Sequence, residues 1–152
     1  MPEPTIRRAR AGEADLLTAL ARRAKAHWGY PPDLLERFAV DVVLTEEAIA
    51  ADEVWVLDGE ARPIGFHRVV IGEPAVLEDL WLEPAAIGAG HGRRLWLHAA
   101  DIARRAGAAA IELDADPNAI GFYGRMGAHH VGDTPSAVVP GRTLPRMRAD
   151  LE

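Results

Sequence analysis

The chain has 152 residues, of which 49% are hydrophobic and 26% charged, enough for one domain with one core and too apolar for a disordered segment. Its 17 basic and 23 acidic residues give a formal net charge of −6, and Lys25 is the sole lysine; an acidic chain without a basic tail excludes a non-specific nucleic-acid binder. There is no Cys, so disulfides, thiolate metal sites and a thiol nucleophile are excluded.

Thr5 to Arg10 reads as a first strand. Glu13 and Asp15 suit a helix start, and Leu16, Leu17, Leu20, Ala21 and Ala24 recur at helical spacing as far as Lys25. The segment His27-Trp28-Gly29-Tyr30-Pro31-Pro32 breaks that helix. A second helix is expected from Asp33 to about Val40, and a third after Thr45 as N-cap. Three strands follow, Glu53 to Leu57, Pro63 to Ile71 and Ala75 to Leu82, joined by Gly-containing turns too short for anything but hairpins. Pro84 ends this meander. A Gly-rich turn then leads into a helix reaching about Ala106. A strand over Ala108 to Leu113, a short helix from Asn118 to about Met126, and strands over Ala128 to Val131 and Leu144 to Asp150 complete the chain. The order predicts a single α/β domain over residues 1–152, with a mixed sheet. No apolar run has membrane-span length, and Met1-Pro2-Glu3-Pro4 lacks a signal-peptide core, so the expectation is a cytoplasmic protein of bacterial type, without a membrane partner.

The turn Ile87-Gly88-Ala89-Gly90-His91-Gly92-Arg93-Arg94 carries the most chemistry. Its glycines let backbone N–H groups converge and a ligand approach closely. The following helix adds unpaired N–H groups and a positive dipole end, which suits a phosphate. Arg93 and Arg94 oppose that dipole unless an anion sits there. A Walker loop is excluded by the missing Lys. A dinucleotide fingerprint lacks its third Gly, Arg93 standing there, although Glu112 lies where a ribose-binding acid belongs. The bland alternative is a loop whose glycines serve chain geometry alone.

These pieces resemble the GNAT (GCN5-related N-acetyltransferase) superfamily of acyl-CoA N-acyltransferases. The matching segments are Leu77-Glu78-Asp79-Leu80-Trp81-Leu82-Glu83-Pro84, the Gly88 to Gly92 turn with its helix, Leu113-Asp114-Ala115-Asp116-Pro117-Asn118, and Phe122-Tyr123-Gly124-Arg125-Met126-Gly127-Ala128. The resemblance implies a mostly antiparallel central sheet with two splayed strands, flanked by helices. It implies acetyl-CoA as co-substrate and a small-molecule or peptide amine as acceptor. It assigns the pantetheine arm to the backbone of Leu80, Trp81 and Leu82, the pyrophosphate to the N–H groups of Ala89, Gly90, His91, Gly92 and Arg93, a cofactor contact to Asn118, and protonation of the leaving thiolate to Tyr123. Ile87 departs from the family's usual Arg or Gln. The resemblance also makes a homodimer plausible.

The residue inventory agrees with direct transfer. An amine must lose a proton before it attacks a thioester, and the carbonyl needs a hydrogen-bond donor as charge develops, a role for strand N–H groups. Asp79 and Glu78 are the candidate bases, and alternation puts them on opposite faces. Asp79, on a face with Leu77 and Trp81, is placed toward the acceptor; Glu78 comes second, and a bulge at the splay would exchange them. Water is a third base. On the acceptor side, His27, Trp28 and Tyr30 form an aromatic group suited to cation–π contact with an amine, or a hydrophobic plug. His67 on a mid-sheet strand and Arg142 in the last loop are further candidates, His67 equally a satisfied sheet histidine. No His/carboxylate set has metal-ligand spacing, so no metal is expected. Two rivals remain: a non-catalytic acyl-CoA-binding sensor, because of Ile87, and a dinucleotide-binding domain.

Overall fold

The computed structural model describes residues 3–152; Met1 and Pro2, where the signal-peptide reading begins, lie outside the described residues. Seven strands form one sheet: β1 (Thr5–Arg8), β2 (Glu53–Asp58), β3 (Pro63–Val70), β4 (Ala75–Leu82), β5 (Ala110–Asp114), β6 (His129–Pro135) and β7 (Thr143–Asp150). Their spatial order is β1-β2-β3-β4-β5-β7-β6. Every pairing is antiparallel except β4 with β5. The helices are α1 (Ala14–Ala26), α2 (Pro32–Ala39), α3 (Glu46–Ala51), α4 (His91–Arg105) and α5 (Ile120–Arg125). This is the mixed α/β architecture expected, with every expected element in its place. Boundaries move by a few residues, most at β6, which runs on to Pro135 where a loop was expected.

Two cores hold the layers together. On one face of the sheet, Leu17, Leu20 and Ala21 of α1 and Ala48 and Ile49 of α3 pack on Val54, Val56 and Phe66. On the other, Trp96, Ala99 and Ala103 of α4 pack on Val69, Leu77, Ile111 and Met147. Leu17 and Leu20 are fully buried, each contributing roughly 2 kcal/mol of hydrophobic stabilisation. Thr45 caps α3 as its sequence position predicts, its hydroxyl accepting from the Ala48 N–H at 3.1 Å. The start of α1 is served from a distance: Glu46 accepts from the N–H groups of Gly12 and Ala14 at 2.8 and 2.9 Å. Among the described residues, no helix is long and apolar enough to cross a membrane.

Two irregularities shape the centre of the sheet. The parallel ladder of β4 and β5 has only two pairs, Ala75 with Ile111 and Val76 with Glu112. Beyond them the strands part. On its other edge β4 bulges: Val69 pairs with Leu77 but Arg68 pairs with Asp79, so Glu78 is an extra residue. The extra residue reverses the alternation. Leu77 and Leu80 both lie on the α4 side, whereas Asp79, opposite Arg68, and Trp81, opposite Phe66, lie on the α1 side. The face expected for Asp79 is therefore half corrected: it shares a face with Trp81 but not with Leu77.

Candidate active site

The parting of β4 from β5 opens a cleft of about 660 Å3. One wall is β4 from Leu77 to Leu82. The opposite wall is the end of β5 with Asp114, Asp116 and Asn118, then Phe122, Tyr123 and Arg125 of α5. The Gly-rich turn closes one end, through Ile87, Gly88, Gly90, Gly92 and Arg93. Ala24, His27 and Trp28 from the end of α1 stand at the other wall of the opening.

The turn is built to leave backbone donors free. Gly90 precedes α4 at φ +83°, a left-handed conformation that disfavours any side chain. The first amide of α4 with an intrahelical acceptor is that of Arg94, which donates to the Gly90 carbonyl at 3.1 Å. The amides of His91, Gly92 and Arg93 precede it and carry the partial positive charge of the helix end. A Cβ on Gly92 would lie 3.2 Å from the Phe122 ring, which would have to give by a few tenths of an ångström to admit one. The side chains of Ala89 and His91 do not line the cleft; what those residues offer is backbone. The two arginines divide. Arg93 is exposed and lines the cleft. Arg94 turns back to donate to the Pro4 carbonyl, because successive helix positions point about 100° apart. Ile87 is half exposed at the cleft margin.

Tyr123 is buried between Trp96 and Phe122, ring centroids 5.7 and 5.1 Å away. Burial raises its hydroxyl pKa, and the negative charges of Asp79 and Asp116 push it further up. The phenol therefore stays protonated and remains a donor. Asp79 faces the cleft from β4. Burial raises its pKa, while the Trp81 indole N–H and Arg68 pull it back and Glu78 and Asp41 raise it. Glu78 is exposed in the same cleft wall.

The acceptor-side candidates separate. His27 and Trp28 line the cleft, ring edge to ring face at 5.5 Å, with Trp28 41% exposed. Tyr30 and Arg142 do not line it; they belong to a polar knot centred on Asp116. Asp116 accepts from Lys25 Nζ at 2.5 Å, from the Tyr30 hydroxyl at 3.0 Å and from the Asn118 backbone N–H at 2.8 Å. The Asn118 side-chain amide donates to both Tyr30 and Asp116, and Arg142 donates to the Tyr30 hydroxyl at 3.1 Å. Lys25 and Arg142 both sit over the Phe38 ring, at 4.3 and 4.6 Å. Asn118 thus reaches the cleft with its two N–H bonds already committed. His67 lies outside the cleft. Strand alternation turns it toward α4, where its Nε2 meets His98 Nδ1 at 2.8 Å. Glu112, the possible ribose acid, is held by Arg146 and Arg148 at 3.0 and 2.8 Å.

Sequence reasoning passed over Lys25, Asp116 and Arg68. Lys25 is 8% exposed, and its being the chain's one lysine was the signal available. Arg68 was one arginine among sixteen. Among the described residues, no group of three His, Cys, Asp or Glu could hold a metal ion.

A sequence model described as the acetyltransferase (GNAT) family matches residues 15–128. No curated protein matches the sequence. Among solved structures, a GCN5-related N-acetyltransferase from Rhodopseudomonas palustris matches with a TM-score of 0.81 at 20% identity, over 99% of this chain and 98% of that one. The PaiA N-acetyltransferase of Thermoplasma acidophilum, solved with coenzyme A, has a TM-score of 0.79 at 17% identity, over 98% and 99% of the two chains. YncA of Salmonella typhimurium, solved with its cofactor acetyl-CoA, has a TM-score of 0.69 at 19% identity, over 99% and 95%. The likeness in fold runs the length of the chain, and with the family model covering most of the sequence the protein belongs to the GNAT acetyltransferase family.

Proposed function

We propose that this protein is an acetyl-CoA-dependent N-acetyltransferase that acetylates a primary amine of a small molecule or peptide in a ternary complex. The observation that carries the reading is the gap between β4 and β5, with free amides at one end and Tyr123 and Asp79 along its walls. The residues present fit acetyl-CoA. The β4 edge from Leu80 to Leu82 has no strand beside it on the β5 side, so its backbone is available to an extended amide-bearing arm. The amides of Gly90 to Arg93 form an anion cradle that no Cβ obstructs at Gly90, and the Arg93 side chain adds charge. The exposed Ile87 supplies apolar contact where a polar side chain is usual; the cradle needs only backbone.

Bound acetyl-CoA supplies an acetyl thioester, whose C–S bond gives way to a C–N bond on the acceptor. Asp79 takes the proton the amine must lose, with Glu78 or water as the alternative acceptor. Backbone N–H groups of β4 stabilise the oxyanion. Tyr123 donates a proton at the sulfur end, and its raised pKa keeps that proton in place until then. His27 and Trp28 receive the acceptor, the exposed indole offering a face for a cation. Strand β4 carries Asp79 and Glu78, α5 carries Tyr123, and the end of α1 carries His27 and Trp28, all lining one cleft, which supports one catalytic domain over residues 1–152.

The test is a thermal shift followed by turnover. Saturating acetyl-CoA raises Tm by roughly 5–10 °C and NAD does not. A panel of amines with labelled acetyl-CoA then yields acetylated product with release of one thiol per transfer. No shift with acetyl-CoA overturns the assignment. A shift without turnover on any amine class favours the sensor reading.

A further inference from the structure

We infer that Arg68 is a positioning residue for the transfer: from β3 it holds the Asp79 carboxylate charged with its Oδ2 open toward the cleft, and Asp52 holds Arg68. The inference rests on the reading of Asp79 as the proton acceptor.

The geometry divides the two Asp79 oxygens. Oδ1 accepts the Trp81 indole N–H at 3.0 Å. Oδ2 faces Arg68 Nη1 at 3.7 Å, an ion-pair distance too long for a hydrogen bond. Its lone pairs are therefore unspent and can take an acceptor N–H. Arg68 does not close the remaining distance because it is anchored elsewhere. Its Nε donates to Asp52 Oδ2 at 2.9 Å, and Asp52 stands at the junction of α3 and β2. The bulge at Glu78 completes the arrangement, since in an unbulged ladder Glu78 would stand opposite Arg68 and Asp79 opposite His67 on the α4 side.

The division answers two opposing demands. Without a cation, a carboxylate buried in the cleft wall would hold its proton and fail as a base. With Arg68 closed bidentately on it, both oxygens would be occupied and the charge too stable to accept a proton. The other groups acting on Asp79 are Glu78 on its own strand, Asp41 after α2 and the Tyr123 hydroxyl on α5. Arg68 supplies the positive charge among them, and with the Trp81 N–H it opposes the upward push of burial, Glu78 and Asp41.

The experiment follows the Asp79 carboxyl carbon by NMR in the free protein, its signal identified by loss in Asp79→Asn, and the acid limb of kcat/KM. In Arg68→Met both midpoints rise together by about one pH unit or more, so that rates on the acid limb fall about tenfold for each unit. Arg68→Lys returns the midpoint most of the way. Asp52→Asn moves it down, because Arg68 is released to close on Asp79. A rate loss equal at all pH values with an unmoved midpoint shows a structural role and overturns the inference. If Arg68→Met does not fold, Asp52→Asn and Arg68→Lys decide, and an unmoved midpoint in Asp52→Asn overturns it. If wild type transfers no acetyl group, the proposed function fails and Arg68 loses its part in the transfer, while the NMR shift still registers its hold on Asp79.

Discussion

Leu77 and Leu80 of β4 face the same side of the sheet although they stand three positions apart along a strand. In a regular strand an odd spacing puts side chains on opposite faces; here Glu78 is an extra residue between the Val69–Leu77 and Arg68–Asp79 pairs, and the alternation restarts after it. The bulge gives the cleft wall Leu80 and Leu82 on one face and Asp79 and Trp81 on the other.

Deleting Glu78 removes the extra residue. The ladder then becomes regular, with Leu77 still opposite Val69 and Asp79 still opposite Arg68, but the bend that a bulge puts into β4, at the point where it leaves β5, is lost. The deletion variant is expected to lose the acetyl-CoA thermal shift. Glu78→Ala, which removes an exposed side chain and keeps the bulge, shifts stability by no more than about 0.5 kcal/mol and retains the acetyl-CoA shift. Differential scanning fluorimetry of both proteins checks this.

Tyr123→Phe removes a proton donor and little volume. General-acid groups contribute about 100-fold or more, so kcat is expected to fall by at least that factor while the acetyl-CoA Kd stays within about threefold. Stopped-assay kinetics with calorimetric Kd values separate the two. An unchanged kcat removes Tyr123 from its role.

His67 makes stability pH-dependent. It is fully buried, its Nδ1 has no partner among the described residues, and burial with the neighbouring His98 pushes its pKa down to about 3. The unfolded chain binds a proton near pH 6.5, so between that value and pH 3 the unfolded state holds more protons than the native one. Stability present above pH 6.5 is therefore lost as pH falls, by up to about 1.4 kcal/mol per unit. His98, also shifted down by burial, adds in the same direction. The paired carboxylates Glu13, Glu83 and Glu112 are shifted down by their arginines and lose their contribution only at lower pH. Urea midpoints between pH 5 and 7 should fall toward acid in wild type and less steeply in His67→Gln.

Lys25→Met leaves Asp116 without its cation. Each side chain of this pair is only 11% exposed, and breaking a buried pair by removing one partner costs about 3–5 kcal/mol. Tyr30 and Asn118 still donate to Asp116, which places the expected loss at the lower end, a Tm decrease of roughly 10 °C. Because Asp116 and Asn118 line the cleft, weaker acetyl-CoA binding accompanies it. Thermal denaturation with and without acetyl-CoA measures both.

Local rules carried the sequence a long way. Hydrophobic period, proline and glycine punctuation and the Thr45 cap determined the order and kind of the elements, because each depends on residues within a few positions of one another. The Gly88 to Gly92 turn was legible as an anion cradle for the same reason: loop and helix start are contiguous, and their amides need no distant partner. Tyr123 and the strand from Leu80 to Leu82 were reached through family resemblance, since nothing in their own spacing marks them. Tertiary structure decided the rest. The short β4/β5 ladder, the face of Asp79 and the anchoring of Arg68 by Asp52 depend on register between strands, and one inserted residue resets it. Lys25, Tyr30 and Asn118 meet at Asp116, and Arg142 joins through the Tyr30 hydroxyl, so that three stretches of chain converge, a convergence that only the folded chain creates. His67 went to α4 rather than to the cleft because the sheet has two faces and alternation alone does not say which one a helix will cover.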